Sequence, residues 1–234
     1  MLTDAALLLA VNASVLMAFL LGRRLSAIAA HPPMLSPVMV AATLVLAGCW
    51  IAKLDVTRFE TLTWPLRWAL GPAIVALGAV VHAARVSLRA QLGKLLVAVA
   101  GGTAVGLVTA VGLARLSGLD TVITTALITK TVSTPFAVLI QTRAGGPVAM
   151  AAAFAVLTGV IGAIVVPLAL KAARLQGSAT WGIAIGVSSH LVGTDWLSRR
   201  DPRGAAFAGG ATVIAGALAA ALLPFVWSWL AAAG

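Results

Sequence analysis

Long apolar runs alternate with short polar punctuation along the whole chain. Eight of them are legible, at about residues 5–21, 34–52, 66–84, 93–114, 119–140, 147–170, 179–197 and 205–231. A helix of about 20 apolar residues crosses roughly 30 Å of hydrocarbon. Strands of a membrane barrel would instead alternate apolar and polar positions over about ten residues, and that alternation is missing here. The pattern predicts an all-α, polytopic transmembrane protein of about eight spans, with residues 1–234 forming a single integral membrane domain joined by short loops.

Several runs carry helix breakers. Gly71-Pro72 interrupts the third, Ser133-Thr134-Pro135 the fifth and Pro167 the sixth. The seventh gathers Ser188, Ser189, His190, Gly193, Thr194 and Asp195. Proline removes an amide donor and frees a carbonyl one turn back, and freed backbone within hydrocarbon must face protein or a wet cavity. Breaks in several segments predict a site near the midplane, as in secondary transporters. Gly71-Pro72-Ala73 is echoed by Thr134-Pro135-Phe136, each opening an apolar helix. The echo fits an inverted repeat with halves at about 34–115 and 119–231, and in a chain dominated by Ala, Val and Leu it fits chance equally well.

Composition removes whole classes. Of 234 residues, 61% are hydrophobic and 9% charged, against about 25% charged in soluble domains. A soluble globular protein is excluded, and so is a disordered one. The net charge of +10 does not indicate nucleic acid, because the cations stand singly between apolar runs. In an eight-span arrangement, nine cations fall on one side and six on the other, favouring termini outside the cytoplasm. Lys171 and Arg174 are then opposite Arg199, Arg200 and Arg203. Residues Met1 to Asp4 lack a positive n-region, and Arg23-Arg24 follows the first run, so the first span is expected to be retained. Trp64, Trp68, Trp227 and Trp229 flank spans, as an interfacial belt would. Cys49 is the one cysteine, so no disulfide or cysteine metal site forms within a chain; it reads as a small buried hydrophobe.

The candidate chemistry centres on Lys130, in Thr129-Lys130-Thr131-Val132-Ser133-Thr134-Pro135. An ammonium at the bilayer centre costs about 2.5–3.5 kcal/mol even on the mild insertion scale. Snorkelling or a misplaced span boundary is one reading. A cation facing a polar cavity is the other, and the crowding of hydroxyls around Lys130 favours it. A helix restarting at Pro135 would present a positive dipole end and free amide donors beside Lys130, a site for a small anion such as a carboxylate. Gly71-Pro72 offers an opposing half-helix. His190 is either a satisfied buried group or a proton carrier or hydrogen-bond donor, with Ser189 beside it and Thr194 one turn on. Asn12 reads as a helix-packing hydrogen bond and Asp195 as an ion-pair partner of a nearby Arg. Six carboxylates, no phosphate loop and no metal-ligand spacing argue against an enzyme, a metal or a cofactor.

At these residues the chain resembles the LrgB/CidB family, which includes the plastidial glycolate/glycerate translocator of plants. The resemblance covers about 34–225 and rests on Ser36-Pro37, Leu70-Gly71-Pro72-Ala73, Thr129 to Pro135, Ser189-His190-Leu191-Val192-Gly193-Thr194 and Ala205-Ala206-Phe207. Thr129 and Thr131 depart from the family's Pro and Ser, and Asp195, Trp196 and Arg199 occupy the region of its Ala-Arg-Ala and Glu. The resemblance implies a multi-pass inner-membrane secondary transporter of small monocarboxylates (glycolate, glycerate or pyruvate-like), working by alternating access with proton coupling as an option. The alternative it implies is a holin/antiholin-like regulator of murein hydrolase export and cell lysis. It also implies a homo-oligomer (dimer) and a small LrgA/CidA-type membrane partner. The substrate-binding residues expected are Lys130, Thr131, Ser133, Thr134, Pro135, Ser189, His190, Thr194, Gly71 and Pro72.

Overall fold

The computed structural model describes residues 2–232, and every regular element among them is helical. The chain divides into two compact units, Met1–Ala73 and Ile74–Gly234.

In the first unit α1 (Leu2–Ile28) packs on α2 (Pro37–Ile51). Gly22 permits the approach, since a Cβ there would lie 2.7 Å from the Pro37 carbonyl oxygen. Ser36 and Pro37 supply the start signals of α2, the Ser36 hydroxyl accepting the Met39 N–H at 3.4 Å. The chain then bends by 118° into α3 (Val56–Leu62), capped by Asp55. The Asn12 amide donates to the Leu8 carbonyl at 2.7 Å and the Leu62 carbonyl at 2.8 Å, the packing bond expected of it. Cys49 is half-buried rather than fully buried. Trp64 and Trp68 bound α4 (Trp64–Trp68) and are exposed; the side chains of Trp227 and Trp229 lie outside the described residues. Helix α5 (Leu70–Ala83) carries Gly71 and Pro72, both exposed, in its first turn.

The second unit contains α6 (Arg85–Ala90), α7 (Leu92–Leu116), α8 (Thr121–Ile128), α9 (Thr134–Ala144), α10 (Val148–Ala172), α11 (Ser178–Ser198) and α12 (Pro202–Ala232). Two of its apolar runs fold back on themselves. In the run 119–140, α8 ends in a 3-10 turn at Thr129–Thr131, and α9 returns. The Gln141 amide donates to the Thr125 carbonyl at 2.6 Å and to the Thr129 hydroxyl at 3.2 Å. On one straight helix, residues 16 apart would be separated by about 24 Å.

Helix α11 folds back at His190, whose φ of 49° and ψ of −135° break the helical path. Its first arm runs parallel to α12: a Cβ on Gly182 would meet the Gly204 carbonyl, and one on Gly186 the Ala208 carbonyl. The Thr212 hydroxyl donates to the Gly186 carbonyl at 2.9 Å. Only residues 199–201 separate α11 from α12, so the second arm must return to the end where the first began. Ile185 and Leu197 accordingly share one cluster with Ala208, with Trp181 and Trp196 packed on it. The unit therefore holds two helical hairpins entering from opposite ends, one following α7 and one following α10. Segments 92–144 and 148–198 repeat a long helix and a hairpin in opposite sense, boundaries that differ from the halves suggested by the sequence echo.

These hairpins change the span count. Four helices among the described residues are long and apolar enough to cross a membrane, or five with the bent pair α2 and α3. All eight apolar runs become helical, but 34–52 is short and followed by the bend into α3, 66–84 is split, and 119–140 and 179–197 turn back. Pro167 does not break its run: it lies inside the 25-residue α10, which continues to Ala172. The missing proline N–H leaves a single carbonyl short of its donor, which a packed helix tolerates.

The hairpins also regroup the cations. Lys171, Arg174, Arg199, Arg200 and Arg203 gather at one end of the unit rather than on opposite sides. Lys94 belongs to that end too, since it shares a cavity with Leu175 and Ala179. Arg115 and Arg143 stand at the other end. In a Cys49→Ser background, single cysteines at Gln176 and Arg199 should both react with an impermeant maleimide from the same face of sealed vesicles. Labelling from opposite faces would restore a straight seventh span.

Asp201 caps α12, its carboxylate accepting the Gly204 N–H at 2.9 Å. That bond, with one from Ser178, holds its pKa below the usual carboxylate range. A folded-state value below the unfolded one stabilises above the unfolded pKa and is lost as pH falls through the folded value. Asp201→Ala should cost about 1 kcal/mol at neutral pH. Denaturation in detergent should show the gap from wild type closing below about pH 3.9.

Candidate functional site

The two hairpin tips meet inside the second unit. The His190 ring lies beside the Thr131 backbone and within the field of Lys130. Local sequence builds both tips. In the first, Ser133 is extended (φ −66°, ψ 152°) and Pro135 sits in the opening turn of α9, so the helix restarts at Thr134, one residue before the Pro135 start expected from its signals. The hydroxyls of Thr129 and Thr131 donate back to the carbonyls of Ala126 and Ile128 at 2.8 and 3.1 Å. They tie off the end of α8 and leave the chain free to turn. In the second tip, Thr194 donates to the His190 carbonyl at 2.7 Å.

Glycines let the surrounding helices close on these tips. A Cβ on Gly106 of α7 would lie 2.8 Å from the Thr131 methyl, and one on Gly102 would lie 2.9 Å from Val187. On α10, a Cβ at Gly162 would lie 2.7 Å from the Ser189 hydroxyl.

A cavity of about 890 Å³ opens between α7, α10, α11 and the first tip. Lys130 and Thr131 line it, with Thr103, Thr158, Ser188 and, toward its cationic end, Lys94. Lys130 is half-buried and makes no ion pair among the described residues. Among the described residues, the buried hydroxyls of Ser133 and Thr103 have no hydrogen-bond partner, while the His190 ring faces the Thr131 backbone. Leaving such groups unpaired costs about 1–3 kcal/mol each. Of these, the Thr103 hydroxyl faces the cavity that Lys130 lines.

Of the residues singled out in the sequence, Lys130, Thr131, Ser133, Thr134, Pro135, Ser189, His190 and Thr194 lie at or next to the two tips. Lys130 and Thr131 reach the cavity wall, while Ser133, Ser189 and His190 are buried behind it. Thr194 spends its hydroxyl on the backbone. Gly71 and Pro72 belong to the first unit, and the break that faces Lys130 within the second unit is at His190. Asp195 pairs with Arg199 at 3.4 Å on the surface. Thr103 and Thr158 were not anticipated; Thr158, the lone hydroxyl of its apolar run, was a signal, whereas Thr103 shares its run with Thr109.

Long apolar helices, two inverted hairpins and a largely apolar cavity with Lys130 on its wall define an all-α protein of membrane type. The chain belongs to the LrgB-like family, whose profile matches residues 15–229. It is similar to two uncharacterized proteins of Bacillus subtilis: YxaC (28% identity, covering 69% of this chain and 70% of the relative), and YwbG (21%, covering 83% and 87%). An uncharacterized protein of Haemophilus influenzae is 25% identical, covering 82% of this chain and 81% of its own length. No solved structure is significantly similar.

Proposed function

We propose that the protein is a multi-pass inner-membrane carrier of small monocarboxylates of the glycolate, glycerate or pyruvate type. Family membership fits a transporter or an antiholin-like role. The observation that favours the carrier is Lys130, an interior cation on a cavity wall beside the N-terminus of α9 and unpartnered donors. The ammonium neutralises the carboxylate. The Thr103 hydroxyl on the same wall donates to it, and the positive end of α9, with the Ser133 hydroxyl, lies behind Lys130 and adds its field. His190, behind that wall, serves the proton-coupling option rather than direct contact with the acid.

The inverted hairpins support alternating access as the mechanism: each tip reaches the site from a different end, so displacement of one hairpin would open it to one side. The cation-rich end of the second unit faces the cytoplasm, by the positive-inside bias. A homodimer and a small LrgA/CidA-type partner belong to the same proposal, and no covalent step is involved.

Proteoliposomes containing the purified chain test this reading. Saturable uptake of labelled glycolate, glycerate or pyruvate, accelerated by unlabelled acid inside, supports a carrier, and an inward proton gradient reads out coupling. Size-dependent leakage without saturation or exchange would favour the pore or lysis-regulator role instead.

A further inference from the structure

A second cavity, of about 640 Å³, lies at the cationic end of the second unit, apart from the hairpin tips. It is walled by Lys171, Arg174, Arg200, Trp181, Trp196 and Asp201, with Ser178 and backbone of the α10–α11 loop. We propose that it binds the phosphate-bearing headgroup of an anionic phospholipid.

Charge makes the first argument. Asp201 is the one carboxylate in the wall, and it is committed to capping α12. Neither Lys171 nor Arg174 makes an ion pair among the described residues. Arg200 is held in place, its guanidinium 4.4 Å from the centre of the Trp196 ring and Nη1 donating to the Trp196 carbonyl at 3.1 Å. A guanidinium has five N–H donors, so others remain for a phosphate, which arginine matches bidentately.

Backbone makes the second. Arg174 adopts φ 55° at the C-terminal cap of α10. The N–H of Leu175 bonds the Leu170 carbonyl and that of Arg174 the Lys171 carbonyl, each at 3.0 Å. Glycine is the usual occupant of that left-handed position, so the chain bears a strained arginine where glycine would relax it.

Position makes the third. Trp181 and Trp196 are half-buried, and the Trp181 indole donates to the Leu175 carbonyl at 2.9 Å, tying the loop beneath the cations. Trp181 and Trp196, both on α11, share the cavity with Lys171 at the end of α10, a span with mean hydropathy 2.5, and so mark headgroup depth. Basic pockets there suit anionic lipids, at about 1 kcal/mol per cation. This places the ligand in the leaflet rather than in bulk solvent.

The test titrates the detergent-purified full chain with phosphatidylglycerol, phosphatidylcholine or inorganic phosphate and counts retained adducts by native mass spectrometry. Wild type should retain phosphatidylglycerol preferentially. Arg174→Gly should weaken that preference about fivefold, and adding Lys171→Gln about fivefold again. The melting temperature of Arg174→Gly should hold or rise, because the left-handed strain is gone. Equal retention of the two lipids, or a preference unchanged in the double variant, would overturn the proposal. Displacement of phosphatidylglycerol by inorganic phosphate would overturn its assignment to lipid.

Discussion

Lys130→Ala is expected to reduce saturable monocarboxylate uptake by about 10- to 100-fold, the value of a hydrogen bond to a charged partner at about 1.5–3 kcal/mol. The argument rests on the environment of the ammonium. Lys130 sits on the wall of an internal cavity, on a helix break, with no carboxylate paired to it among the described residues. Nothing nearby would be left as an uncompensated opposite charge when it is removed, so the fold should survive. Lys130→Arg should retain the charge but place it further out, beyond reach of the α9 amides, and recover uptake only in part. The readout is initial uptake rate at equal reconstituted protein. A drop confined to KM would mean that Lys130 captures the acid; a drop in maximal rate would mean that it also governs the moving step.

Gly186→Val is expected to destabilise the protein by about 2–3 kcal/mol, as overpacking of a tight core does. The built Cβ falls on backbone of Ala208, with the Ala208 Cα at 2.8 Å and its carbonyl carbon at 2.9 Å. Backbone cannot rotate away as a side chain can. The first arm of α11 must lift from α12, breaking the hydrogen bond from Thr212 to the Gly186 carbonyl. A loss of that size lowers the melting temperature by about 5–10 °C in a chain of this length. Gly112→Val is the matched control, because a Cβ at Gly112 meets nothing within 4 Å. An equal effect in both variants would mean that valine acts through helix propensity and that the contact of α11 with α12 is unimportant.

The helical class, the membrane setting and the first tip were legible because each has a local cause. Apolar run length speaks for itself, and Ser133-Thr134-Pro135 is a start signal wherever it occurs. The fold-back of both hairpins was not legible, because nothing local distinguishes a run that crosses from one that returns. Gln141 shows why: the amide that ties the first hairpin reads as an ordinary polar residue near a loop until the Thr125 carbonyl is placed beside it. At the second tip the turn falls on His190, which takes a positive φ where Gly159 and Gly162 of α10 let that helix close on the backbone of Ser188 and Ser189, and no proline or glycine marks that position in the sequence. Local signals instead point to Gly71-Pro72 as the opposing break. The same fold-back regrouped cations that a count of straight spans had divided, and so revealed the basic cavity at their end.

The most direct test of the anion site is substrate protection at the first tip. Thr131 lines the cavity next to Lys130, and Thr131→Cys in a Cys49→Ser background puts a single thiol there. A small thiosulfonate should label it, and glycolate, glycerate or pyruvate should slow the labelling saturably, while the corresponding neutral alcohols do not. Labelling indifferent to saturating acid, in a variant that still transports, would contradict an anion site at the Lys130 turn.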